Sequence, residues 1–128
     1  DNVRIGLNSR LDTIQAAVLL EKLIEFPFEL EARNLAAARY SKNYCEVFTT
    51  PEVPDGYTSS WAQYTLVTHD RAAAEAEFKS LGVPTAVYYR TCMHQQPVFT
   101  SLGYADPDLP VASRLAGQVL SLPMHPYL

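Results

Sequence analysis

The feature that most constrains this chain is a long helical pattern over residues 11–48, led in by "GLNSRLDTIQAAVLLEKL" at residues 6–23. Leu11, Ile14, Val18 and Leu19 recur at the spacing that gathers side chains on one helix face, which predicts a buried stripe. Ser9 followed by Asp12 has capping-box spacing, so Ser9 is the expected N-cap. Pro27 has no backbone N–H to donate, and with Glu29 and Glu31 close behind it suits the first turn of a second helix. Leu30, Ala37 and Tyr44 then repeat every seven residues, with Tyr40 and Val47 beside them. The expectation is two helices end to end, kinked near Phe26 and Pro27.

Beyond residue 48 the signals shorten. "TTPEVPDGYTSS" is rich in turn formers, and "WAQYTLVT" has the aromatic and β-branched content of a strand. Asp70 can cap a short helix, "RAAAEAEFKSL", that Gly82 ends. "PTAVYY" reads as a second strand, on which Tyr88 and Tyr89 would point to opposite faces. Residues 90–108 form a loop carrying "CMHQQP" and "GYADPD". Asp108 and Pro110 start another short helix, and "VLSLP" is a last strand. The sum is an α+β architecture, with helices packed on a small, mostly antiparallel sheet.

Several function classes fall away. Fourteen acidic residues against ten basic ones, with no charge block, argue against a nucleic-acid or membrane surface. No apolar run approaches the ~20 residues of a membrane span, and no charged-then-apolar leader opens the chain. Cys45 and Cys92 read as reduced thiols of a cytoplasmic protein. Cys92 and His94 are two apart, but a metal needs three or four ligands and that loop lacks nearby acids, so no metal site is expected. His125 reads as a packing or hydrogen-bonding residue and His69 as turn chemistry. Trp61 and Tyr64 belong in a core or interface, because no basic groove surrounds them. Both ends look cut, so the 128 residues read as a piece of a longer chain.

The opening stretch poses a question of charge. Arg10 stands where a helix begins, although a cation there opposes the helix dipole. An external anion would resolve the conflict, held by free backbone N–H groups, the Asn8 amide and the forked Arg10 guanidinium. The competing explanation pairs Arg10 with Asp12 or Asp1 on the surface and gives Asn8 a turn.

Four blocks in order, "GLNSRLDTIQAAVLLEKL", "SSWAQYTL", "VYYRTCMHQQPVF" and "VLSLPMHPYL", resemble the carboxy-terminal part of the DegT/DnrJ/EryC1/StrS sugar-nucleotide aminotransferases. The resemblance runs from about Gly6 to Leu128. It implies the small carboxy-terminal domain of an aspartate-aminotransferase-like (type I) fold. Residues 1–48 would be a helical dimer and linker region, and residues 49–128 the small α+β domain. A larger amino-terminal domain would bind pyridoxal 5'-phosphate.

It further implies a homodimer with shared active sites, moving an amino group from glutamate to a keto-sugar on a nucleotide. Asn8 would reach the partner's cofactor phosphate, Arg10 would line the partner's sugar pocket, and His94, with Gln96, would lie near the substrate. Arg90 stands where relatives often have proline, and Met93 where they commonly have leucine, so Arg90 could alter pocket contacts. Within the family, "NSRLDTIQAAVL" and "SSWAQYT" resemble enzymes acting on UDP-2-acetamido-3-keto-glucuronate, whose carboxylate would suit Arg10; a 4-keto sugar is the other possibility.

None of Lys22, Lys42 and Lys79 has the setting of a Schiff-base lysine, so no catalytic residue is expected in the segment and the segment alone should not transaminate. A non-catalytic regulatory or dimerisation module of the same fold is the alternative. A free-standing binding domain with no cofactor is a further one.

Overall fold

The computed structural model describes residues 3, 4, 6, 8–103 and 109–128, the side chain of Thr100 excepted. Its dominant element is one helix, α1 (Thr13–Tyr44), 32 residues long with Pro27 inside it. The two helices expected from the sequence are therefore one. Proline removes a single backbone hydrogen bond at a cost of about 3 kcal/mol. Strong helix formers on both sides, from "VLLEKL" to "LEAR", carry the helix through.

The cap differs as well. Asp12, not Ser9, is the N-cap, and its Oδ1 accepts the Gln15 N–H at 2.8 Å. A carboxylate is a better partner for the positive end of a 32-residue helix than a hydroxyl.

Only the second half of α1 is packed. Ala36 and Ala37 are buried, and Tyr40 and Tyr44 lean on the core, whereas Val47 is exposed. The expected buried stripe is open instead: Ile14 is 79% exposed, and Leu11, Val18 and Leu19 are exposed too. No described element lies over that face, so its periodicity records apolar character and not burial within this chain.

Strand β1 (Tyr64–Val67) pairs antiparallel with β2 (Val119–Leu122) in the register Tyr64 with Leu122 and Leu66 with Leu120. Side chains two apart share a face, and these four residues form the centre of the core with Trp61, Ala74 and Phe78. On the opposite face, Thr65 and Ser121 pair through their hydroxyls at 2.8 Å. Single bridges extend the ladder at Thr49, beside Val67, and at Ala86, beside Ser121. The strand expected over "PTAVYY" shrinks to that one bridge at Ala86. Pro84 lacks an N–H, and the chain turns at Tyr88 and Tyr89, so these tyrosines do not alternate on a strand.

Helix α2 (Arg71–Ser80) matches its sequence signals. Asp70 accepts the Ala73 N–H at 2.9 Å, and Gly82 closes the helix at φ +75°, a conformation favourable to glycine. Its Ala74 and Phe78 face the core, where Phe78 meets the rings of Tyr44 and Phe48 at 5.8 and 6.0 Å. Residues 93–95 and 97–102 form two 3-10 turns, and α3 (Pro110–Gln118) leads into β2. Leu109 is the N-cap of α3, with proline at the helix start; Asp108, the expected cap, lies outside the described residues.

Candidate functional site

Two groups of expected site residues occupy different parts of the chain. Asn8 and Arg10 lie in the irregular stretch before α1, both exposed. Because Asp12 caps the helix, Arg10 sits two residues before the cap, outside the first turn. Among the described residues no carboxylate pairs with Arg10, which removes the Arg10–Asp12 alternative; Asp1 lies outside them. An amide two residues from a guanidinium that has no carboxylate partner among the described residues fits a phosphate or carboxylate brought from outside.

The second group surrounds a cavity of about 1030 Å³ between residues 88–102 and α3. His94 and Gln96 line it together with Tyr88, Phe99, Leu115 and Ala116, a mostly apolar wall with a few polar atoms. His94 Nε2 lies 3.2 Å from Ser113 Oγ, which fixes the imidazole against α3. Gln96 is buried, and its Nε2 donates to the Thr91 carbonyl at 3.4 Å. Cys92 supports this turn by donating its N–H to Gln95 Oε1 at 3.0 Å. Neither Asn8 nor Arg10 lines the cavity, so this chain does not by itself bring its four expected site residues together.

Ser113 and the apolar wall escaped the sequence reading. A serine on the fourth residue of a short helix carries no motif, and the loop and α3 come together only through the fold.

The remaining residues sort simply. Arg90 donates from Nη2 to Glu75 Oε1 at 2.6 Å, on the surface beside the cavity's mouth. Lys22, Lys42 and Lys79 are exposed. Both cysteines are free, Cys45 exposed and Cys92 half-buried. His125 Nδ1 accepts the Tyr127 N–H at 3.1 Å, the hydrogen-bonding role expected of it. Among the described residues no three His, Cys, Asp or Glu side chains cluster closely enough to hold a metal, and no helix is long and apolar enough to cross a membrane.

Comparison with known proteins completes the picture. The DegT/DnrJ/EryC1/StrS aminotransferase family matches residues 1–128. UDP-2-acetamido-2-deoxy-3-oxo-D-glucuronate aminotransferase of Pseudomonas aeruginosa is 43% identical over 99% of this chain and 35% of its own length. A pleiotropic regulatory protein of Geobacillus stearothermophilus is 41% identical over 97% of this chain and 34% of its own length. The crystal structure of a DegT DnrJ EryC1 StrS aminotransferase from Brucella abortus superposes with a TM-score of 0.85 at 48% identity, covering 100% of this chain and 34% of that one. The chain therefore spans about a third of the length of the relatives it matches, and its three helices and two-stranded antiparallel sheet are those of such an aminotransferase segment.

Proposed function

Because the chain belongs to the DegT/DnrJ/EryC1/StrS aminotransferase family, we propose that it is the carboxy-terminal part of a cytoplasmic, pyridoxal-phosphate-dependent enzyme. That enzyme moves an amino group from glutamate to a nucleotide-linked keto-sugar. The reading divides the segment into residues 1–48, a dimer and linking helix, and residues 49–128, the small α+β domain.

The observation that carries it is the pairing, at one end of α1, of exposed donors with an open apolar face. Asn8 and Arg10 are exposed and without a described partner, and Leu11, Ile14 and Val18 follow directly. A second subunit packed on that face would bury the stripe and carry Asn8 and Arg10 towards a site that this chain does not form alone.

Each residue then has a distinct task. Asn8 donates its amide N–H to the phosphate of the partner's cofactor. Arg10 presents two parallel N–H donors to a carboxylate on the sugar, a geometry suited to a uronic acid. His94, steadied by Ser113, offers an imidazole that can hold or pass a proton near neutral pH. Gln96 orients a sugar hydroxyl or amide from the cavity wall. Pyridoxal phosphate, when bound, supplies the carbonyl that carries nitrogen between two substrates and the ring that takes up the electron pair.

The preferred substrate is UDP-2-acetamido-3-keto-glucuronate, which the Pseudomonas relative's name and the Arg10 guanidinium both favour. The test is Arg10→Ala in the intact enzyme, assayed with uronate and neutral keto-sugars. A loss of kcat/KM confined to the uronate supports the carboxylate role, and an equal loss on both removes it.

The likeness to the Geobacillus regulatory protein favours a second reading, a non-catalytic regulatory or dimerisation module. An intact protein with a residue other than lysine at the Schiff-base position would establish it.

A further inference from the structure

Tyr88, Tyr89 and Thr91 line one side of the cavity, on a stretch with little backbone support. Ala86 is the last residue bridged to the sheet, exchanging N–H and C=O with Ser121 at 3.0 and 2.7 Å. From there to Thr91 the backbone makes no hydrogen bond to another helix or strand among the described residues. Within that stretch one side chain makes such a link: Arg90 donates to Glu75 on α2 at 2.6 Å. Its neighbours Tyr88, Tyr89, Thr91 and Cys92 line the cavity, while Arg90 points away from it to the surface.

Resting on the aminotransferase reading, we infer that the Arg90–Glu75 pair is a positioning latch. It holds the Tyr88–Cys92 wall against α2 and so sets the width of the mouth that admits the nucleotide-linked sugar. Arg90 touches no substrate; it acts through its neighbours Tyr88 and Tyr89, which line the cavity. The Glu75 side chain is 29% exposed and that of Arg90 59%, so solvent screens the pair. Exposed pairs of this kind change equilibria by about two- to fivefold. A latch of that strength tunes affinity and leaves chemistry alone.

The experiment uses the intact enzyme with Arg90→Ala, Glu75→Gln and the exchanged pair Arg90→Glu with Glu75→Arg. Amide hydrogen exchange of residues 87–92 is measured beside KM and kcat for the nucleotide sugar. The latch predicts faster exchange there in both single variants, a KM raised about two- to fivefold with kcat kept, and recovery of both in the exchanged pair. High salt should raise KM in the unaltered enzyme and not in the single variants. Unchanged exchange overturns the latch, and faster exchange with unchanged KM overturns its role in substrate entry. An unaltered enzyme inactive on every nucleotide keto-sugar would instead sink the aminotransferase reading, and the exchange data would still decide whether the wall is latched.

Discussion

Trp61 donates its indole N–H to Asn34 Oδ1 across 2.8 Å, fastening the loop before β1 to the middle of α1. Asn34 donates in turn to the Leu30 carbonyl at 2.8 Å, and Arg33 reaches the Trp61 carbonyl at 3.1 Å. These bonds hold Trp61 at φ +48°, a left-handed conformation that costs a bulky residue about 1–2 kcal/mol. The ring packs on Tyr64 at a centroid distance of 5.5 Å, so the strain purchases a lid for the core.

Removing the acceptor should be expensive. Asn34→Leu leaves the buried indole N–H unpaired and should destabilise the fold by about 1–3 kcal/mol. Thermal unfolding of the intact protein measures it. A melting temperature equal to the parent's would mean that the bond contributes nothing.

Alkaline pH should weaken the same core. Burial is the main cause that raises the phenols of Tyr64 and Tyr40 above their ordinary value, about 10. At a pH above 10 the unfolded chain loses these protons while the folded chain keeps them, so the unfolded state binds fewer protons and stability falls as pH rises. The contribution is complete below about pH 10 and declines through the raised folded values. Melting temperatures from pH 8 to 11 should show this decline, and Tyr64→Phe should make it shallower. The same variant should lose about 1 kcal/mol at neutral pH, because Ser41 Oγ and the Tyr64 hydroxyl are hydrogen-bonded at 2.8 Å.

The isolated segment should associate. Ile14, Val18, Leu23, Ile24 and Phe28 are all exposed along the first half of α1, a larger apolar run than a solitary soluble chain usually shows. Sedimentation of the purified 128-residue chain should report dimers or larger species, and Ile14→Glu with Val18→Glu should return it to a monomer. A monomeric parent segment would mean that this face needs no cover. The same preparation, given pyridoxal phosphate and glutamate, should aminate no cofactor at enzymatic rates.

Where the signal was local, the sequence disclosed the structure. Asp70 and Gly82 bracket α2, and the β-branched and aromatic runs mark β1 and β2, because caps and pleats depend on neighbours in the chain. The structure departs from the sequence pattern where distant or competing partners decide. Ser9 has the capping-box spacing to Asp12, but Asp12 itself caps the helix. Pro27 signalled a boundary, but one lost hydrogen bond did not outweigh the helix propensity around it. "PTAVYY" had strand composition, yet only Ala86 found a partner. Periodicity identified the stripe from Leu11 to Leu19 as apolar without saying what would cover it. Family likeness singles out Asn8, Arg10, His94 and Gln96 as candidates, of which His94 and Gln96 line the cavity, whereas Ser113 and the rest of the cavity wall required the fold.

The central question is whether donors at the start of α1 serve a pocket in another subunit. Cofactor affinity of the intact enzyme measures this most directly, with Asn8→Ala and Arg10→Ala compared side by side. Asn8→Ala should weaken pyridoxal-phosphate binding by about tenfold or more, the worth of one hydrogen bond to a charged group. Arg10→Ala should leave that affinity intact and raise KM for the nucleotide-linked sugar. Unaltered cofactor affinity in the first variant and unaltered KM in the second would contradict the assignment.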